Sequence, residues 1–269
     1  MLHARCELHV VNWDDASIDW TTFDLALLRS TWDYTLRLPQ FLAWCEHAGR
    51  ATRLRNPFEI VRWNTDKHYL AQLAAAGVPV VPSTFIEPGD DAASALTKFL
   101  AAHAAAEFVV KPAIGAGSRD AQRYARDQHG GALEHAQRLL REQRSVLMQP
   151  YLERVDAHGE TALIYFAGQF SHAIRKGPLL RKGEGPTRAL FAAEHITPRT
   201  PTPAEFAVAE RTLAAMPFAA PLLYARVDLI HDNDGAPCVL ELELTEPSLF
   251  FAHAQSSAER FAAAILSAT

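Results

Sequence analysis

Near the C-terminus two short runs, Tyr224–Leu229 (YARVDL) and Val239–Leu244 (VLELEL), flank His231–Ala236 (HDNDGA). This pattern constrains the chain more than any other. The turn composition between alternating runs predicts a hairpin with strands over Leu222–Ile230 and Cys238–Leu244. Strand side chains alternate between faces. Arg226 and Asp228 therefore share one face, as do Glu241 and Glu243, and the apolar residues take the other. If the register aligns the two polar faces, three carboxylates meet one guanidinium. Carboxylates so placed repel one another unless a cation neutralises them. Mg²⁺ suits such oxygen ligands and is usually shared with phosphate. On spacing alone, an exposed face with ordinary ion pairs explains the four residues equally well.

The remaining chain narrows the class. Its 269 residues fit one large domain or two to three small lobes. Hydrophobic residues make up 49%, which excludes a disordered chain. A net charge of -5 argues against nonspecific binding of nucleic acid. Cys6, Cys45 and Cys238 are isolated, so a disulfide scaffold or zinc ribbon is not expected, and a reducing, cytoplasmic setting fits best. No apolar run reaches membrane-spanning length, and residues 1–6 lack a signal-peptide pattern.

Strands and helices alternate along the sequence. Strands are expected over Glu7–Asn12 and Phe23–Arg29, and a helix over Leu38–Gly49. Thr65 is expected to cap a helix running to Ala76, which Gly77 ends. Then follow an extended Val78–Phe85, a helix Ala92–Ala105, strand Phe108–Pro112, the loop Ala113–Asp120, strand Ala121–Tyr124, helix Gly131–Arg141 and strand Val146–Tyr151. A hairpin Thr161–Phe166 and Gln169–Ile174 turns at Ala167-Gly168. A loop rich in Gly, Lys and Arg (176–188), a helix Pro203–Ala215 and a closing helix Ala258–Leu266 complete the reading. The first lobe opens almost directly in a strand. It is either minimal or short of roughly 30 residues, one strand–helix unit.

Several cations stand out. Lys111 ends the apolar FVVKP, where an unpaired charge is costly. Gly115, Gly117 and Ser118 follow in a loop whose amides could wrap phosphate oxygens, although it matches neither the Walker A nor the dinucleotide pattern. Lys67 heads a helix, and Arg175-Lys176 end a strand. Each alone reads as a solvated surface group. Together with the acidic hairpin they read better as a site for a nucleoside triphosphate with Mg²⁺.

The ordered set of Lys67, VVKP, the glycine loop, MQPYLE, HGET, SHAIRK, ARVD and ELELTEP resembles the ATP-grasp superfamily, on the side of bacterial glutathione synthetase. The likeness holds over about 200 residues, from Asn64 onward. RSTWDY, RWNTDK, FSHAIRKGPLL and ELELTEPSLF further resemble the group that contains the D-cycloserine synthetase, an O-ureido-serine cyclo-ligase. The resemblance implies an α/β (α+β) ATP-grasp fold of three lobes with ATP between two of them. These are 1–64 on the substrate side, 65–150 as the central lid subdomain and 151–269 with the metal site.

It also implies residue roles. Lys67 and Lys111 bind the ATP phosphates, and Gly115, Gly117, Ser118 and Arg119 form a lid over them. Gln149, Pro150, Tyr151 and Leu152 form the hinge that pairs with adenine, with Glu153 beside it, and Glu160 takes the ribose hydroxyls. Arg175 and Lys176 face the transferred phosphate, their order left open, and Arg226 steadies the acyl phosphate. Asp228, Glu241 and Glu243 hold one or two Mg²⁺ ions. Most relatives carry Glu-x-Asn at this point; Glu243 departs from that pattern, which leaves the ligand count in doubt.

For the amino-acid-like substrate, Arg29, Ser30, Thr31, Trp32 and Asp33 lie at a strand's carboxyl end, where ligands bind in α/β sheets. Arg29 suits a carboxylate and Asp33 an ammonium, while packing is an equal role for Trp32 and Tyr34. Glu246 points to a substrate amine. His172, one of 12 histidines, is the one to test, although packing is the commoner role for a lone histidine. The expected function is an ATP-dependent carboxylate–amine ligase acting through an acyl phosphate, with cyclisation as a special case. The alternatives are a dipeptide- or glutamate-type peptide ligase and a nucleotide-binding module without turnover. The expected partner is a small molecule, neither nucleic acid nor membrane, and a homodimer is an assembly open to the chain.

Overall fold

The computed structural model describes residues 6–180 and 195–268. The N-terminal part holds β1 (Leu25–Leu27), α1 (Leu38–Ala51), β2 (Arg53–Arg55), α2 (Phe58–Asn64) and α3 (Tyr69–Ala75). β1 and β2 form a two-stranded parallel sheet. Next come β3 (Thr84–Ile86), α4 (Ala92–Ala102), β4 (Glu107–Pro112), β5 (Gln122–Ala125), α5 (His129–Arg141) and β6 (Val146–Pro150). Their four strands pair antiparallel in the order β3-β6-β4-β5. The last part comprises α6 (Arg154–His158), β7 (Glu160–Phe166), β8 (Gln169–Lys176), β9 (Ile196–Arg199), α7 (Pro203–Ala214), β10 (Tyr224–His231), β11 (Pro237–Glu243) and α8 (Ser257–Ala268). Its five strands pair antiparallel in the order β11-β10-β7-β8-β9.

Alternation decides what each sheet buries. In the four-stranded sheet Phe108, Val110, Val146 and Met148 pack on Leu96 and Phe99 of α4 and Leu139 of α5. Val109, Lys111 and Gln149, one position out of phase, line the opposite face. In the five-stranded sheet Leu163, Ala173, Val227, Leu229 and Leu242 pack on Val208 and Ala209 of α7 and on Tyr69, Leu70 and Leu73 of α3. Leu70, Leu163, Val227 and Leu229 are fully buried, so truncating any one to Ala costs about 2–5 kcal/mol. α7 starts as its sequence dictates: Thr202 and Glu205 form a reciprocal capping box, with Pro203 in the first turn.

Three expectations fail. Residues 7–12 form no strand; Val10 is 94% exposed, and an alternating pattern that pairs with no strand among the described residues does not make one. Thr65 caps no following helix. Its hydroxyl donates back to the Arg62 carbonyl at 3.2 Å and closes α2, and α3 begins only at Tyr69. α1 runs through Gly49 to Ala51 and ends where the Thr52 hydroxyl donates to the Phe23 carbonyl at 2.6 Å. The expected loop over 176–188 lies outside the described residues from 181 onward, as does the N-terminus through residue 5.

Candidate active site

The hairpin register brings the expected set together. Arg226 stands opposite Glu243 and Asp228 opposite Glu241, and Glu160 stands opposite Lys176 on the adjoining pair. All six lie on the face away from α7. Gly159 permits the approach of β7 to β8: its φ is +75°, and a Cβ there would lie 2.5 Å from the Lys176 carbonyl oxygen. Lys176 Nζ lies 2.6 Å from Asp228 Oδ2 and 2.7 Å from Glu160 Oε2. Arg226 donates from Nε to Asp228 Oδ1 at 2.8 Å, and from Nη2 to Asp228 Oδ2 at 2.9 Å and to Glu243.

The opposite wall is cationic. Lys111 at the end of β4 donates to Glu241 Oε1 at 3.1 Å. Lys67 Nζ donates to the Gly115 carbonyl at 2.8 Å and lies 3.7 Å from the same Glu241 oxygen. Gly115, Gly117, Ser118 and Arg119 line the cleft, and Gly117 takes φ +61°, which a glycine adopts without strain. The enclosed space is about 320 Å³ and reaches Gln149, Pro150, Tyr151 and Leu152 at its far end.

The charges settle accordingly. Burial pushes the Glu241 carboxyl up, but Lys67 and Lys111 outweigh it and hold the group far below the usual range. Burial also raises Asp228, yet Arg226 and Lys176 keep it ionised. Glu243 is pushed up to about 7 by burial, which Arg226 only partly offsets and Asp228 reinforces. Glu246 is pushed up to about 8 by burial and by Glu243. Lys111 is lowered by burial against the pull of Glu241.

Eight expected residues lie outside the cleft lining. Alternation turns Arg175 to the other face from Lys176, where it donates to the His158 and Ala157 carbonyls at 2.7 and 3.0 Å. Lys176 is thus the one of the pair that faces the cleft. Glu153 is exposed at the start of α6, outside the lining. Asp33 accepts from Trp13 Nε1 at 3.1 Å and from Arg37, so these two groups within the chain take up its charge. Ser30 is exposed, and Thr31 is buried outside the lining. Arg29 donates to the Pro247 carbonyl at 2.9 Å and His172 to the Leu249 carbonyl at 2.9 Å. Asp228 is fully buried beneath Arg226 and Lys176. Trp32 and Glu246 line the cleft.

The sequence reading missed Asn64, Tyr69, Ser248 and Phe250 among the lining residues, which also include Tyr34. Asn64 holds a strand edge. Its Nδ2 donates to the Leu242 carbonyl and its Oδ1 accepts from the Leu244 amide, both at 2.7 Å. Tyr69 accepts from the Leu242 amide at 3.0 Å. These contacts cover the free edge of β11 and aim Glu241 and Glu243 at the cleft. The one signal for this in the sequence is the position of Asn64 within RWNTDK.

The donor set fits Mg²⁺. It consists of carboxylate oxygens, with the Glu241 and Glu243 side chains 26% and 30% exposed towards the cleft and Asp228 beneath them.

Residues 2–56 match the family model for the N-terminal domain of D-cycloserine synthetase DcsG. The chain is 45% identical over 261 residues to the cycloserine biosynthesis protein DcsG of Streptomyces lavendulae, covering 95% of this chain and 87% of that one. The chain belongs to the D-cycloserine synthetase family. The crystal structure of D-cycloserine synthetase DcsG superposes with a TM-score of 0.90 at 44% identity, over 97% of this chain and 89% of that one. The fold extends beyond the family. The ATP-grasp ligase PsnB, in complex with its minimal precursor, Mg and ADP, has a TM-score of 0.58 at 20% identity, over 90% of this chain and 77% of that one. The chain thus shares its fold with the ATP-grasp ligases, and the PsnB neighbour is described with Mg and ADP bound. Among the described residues no helix is long and apolar enough to cross a membrane.

Proposed function

We propose that the chain activates the carboxylate of a small amino-acid-like substrate as an acyl phosphate and closes it onto a nitrogen of the same molecule. O-Ureido-serine is the substrate and a D-cycloserine-type cyclic amide the product. The observation that carries this reading is one cleft with Lys67, Lys111, Lys176 and Arg226 on its walls and Glu241 and Glu243 between them. The 45% identity to a cycloserine biosynthesis protein supports the choice of substrate.

The geometry suggests how the residues act. Lys67 and Lys111 leave Glu241 for the phosphates of ATP, and the Gly115–Arg119 loop closes over them. The hinge around Gln149–Leu152 takes adenine, and Glu160 the ribose. The substrate carboxylate attacks the γ-phosphorus, and the bond to the ADP oxygen breaks. Lys176 faces the transferring group and offsets its charge. Mg²⁺ would supply further charge neutralisation, held by Glu241 and Glu243 with Asp228, as one ion or two. The oxygen-bound substrate nitrogen then attacks the acyl carbon, phosphate leaves with that nitrogen's proton through an oxyanion that Arg226 stabilises, and hydrolysis by water removes the carbamoyl group left on the ring as ammonia and carbon dioxide. Glu246 receives the substrate amine beside Trp32 and Tyr34. The three free cysteines accord with work in a reducing cytoplasm.

The test is incubation with ATP, Mg²⁺ and a panel of amino acids including O-ureido-serine, with and without hydroxylamine. ADP release and a trapped hydroxamate are expected for O-ureido-serine alone. A hydroxamate only with two amino acids present would favour peptide ligation. Nucleotide binding with no hydroxamate from any acid would leave a module without turnover.

A further inference from the structure

The segment after β11, Thr245–Phe250, has no regular structure, so its carbonyls have no ladder to accept into. Side chains from other parts of the chain take them. Tyr224 donates to the Thr245 carbonyl at 2.8 Å, Arg29 to Pro247 at 2.9 Å, Arg226 to Ser248 at 3.1 Å and His172 to Leu249 at 2.9 Å. A carbonyl only accepts, so His172 Nε2 carries the proton. Its Nδ1 then accepts from the Ser171 hydroxyl at 2.9 Å, which Arg260 supports from 3.1 Å. The segment ends with Phe250 at φ +48°, a conformation that costs a non-glycine residue and persists where its surroundings impose it. Along it, Glu246, Ser248 and Phe250 line the cleft, while Leu249 is buried in the core against Phe261 and Ile174.

We propose that Arg29 and His172 are positioning residues that never touch the substrate: through the Pro247 and Leu249 carbonyls they hold Glu246, Ser248 and Phe250 at the geometry that selects the amino acid. Two long polar side chains, one from the exit of β1 and one from β8, spend their donors on alternate carbonyls of the segment that lines the amino-acid end of the cleft. Neither lines the cleft itself. Losing either donor leaves a desolvated carbonyl, which frees the segment rather than emptying the site. This inference rests on the ligase reading for its kinetic arm only.

The experiment compares His172→Leu with His172→Gln, and Arg29→Met with Arg29→Lys. The second of each pair keeps a donor. With O-ureido-serine as substrate, the donor-less variants are expected to raise KM for the amino acid about ten-fold or more while KM for ATP stays within about two-fold, and the donor-keeping variants to recover most of the loss. A parallel arm measures hydrogen–deuterium exchange of residues 245–250 against β6. Faster exchange in that segment alone is expected for the donor-less pair. KM values for both substrates moving together, or donor-keeping and donor-less variants behaving alike with only Tm lowered, would overturn the proposal. Should the wild type turn over no amino acid, the ligase reading fails, and unchanged exchange at 245–250 in His172→Leu and Arg29→Met then overturns this inference separately.

Discussion

The two faces of the five-stranded sheet carry similar residue types and use them differently. On the cleft face Glu160, Lys176, Asp228, Arg226 and Glu243 pair with one another and Glu241 pairs with Lys67 and Lys111, yet Glu241 and Glu243 keep part of their surface open to the cavity. On the other face polar groups are consumed by structure. Glu205 accepts from the Thr161 hydroxyl at 2.5 Å and from the Thr202 amide at 2.7 Å. His158 and His231 stack edge-on at 4.1 Å, and His231 lies 3.8 Å from Glu205. Arg199 donates to the His158 carbonyl at 3.0 Å and to its ring, supplying this group with its cation from within the chain. The lesson is that buried charge marks function only where its partners can be exchanged.

That contrast can be broken by substitution. Glu241→Ala should lower ADP release on the order of 10³-fold, because on the proposed function the lost carboxylate serves the transferring phosphate. Retained turnover would remove the cleft face from the chemistry. Glu205→Ala should do the reverse. It should cost about 3 kcal/mol, a Tm lower by roughly 6–9 °C, since two donors lose their acceptor, and leave both KM values intact.

Titration sharpens the contrast. Glu246, pushed up to about 8, keeps in the folded protein a proton that an unfolded glutamate gives up near 4.5. Stability is therefore lost as pH rises between these values, and Glu246→Gln should stabilise the protein at pH 8 by about 1 kcal/mol while impairing amino-acid turnover. The opposite face has the opposite sign. Burial lowers His158 and His231, so their contribution is present above the ordinary histidine value of 6.5 and is lost as pH falls below it. In thermal melts between pH 7 and 5, His231→Gln should show a shallower decline than the wild type, the smallest of these effects.

Much of this site is legible in the sequence because alternation is a local rule. The spacing of Arg226, Asp228, Glu241 and Glu243 predicts their common face, and the observed register delivers it. The same rule separates Arg175 from Lys176, but only once one of them is known to face the cleft. What sequence does not carry is competition for a side chain. Asp33 lies where a ligand group is expected, but Arg37, four residues on, pairs with it. Arg29 follows β1 and His172 lies within β8, and a segment more than 70 residues away in sequence accepts from both. Residues 7–12 alternate like a strand and find no partner, since pairing is a property of the neighbour as well.

The Asn64 carboxamide reaches Leu242, 178 residues later in the chain, and grips the backbone on either side of Glu243. The aim of Glu241 and Glu243 is therefore written in the first quarter of the protein and executed only when its last strand docks. A partly folded molecule, or a chain still being synthesised, has the lysines but not the aligned acids. On the proposed function, competence to consume ATP would await the docking of that strand.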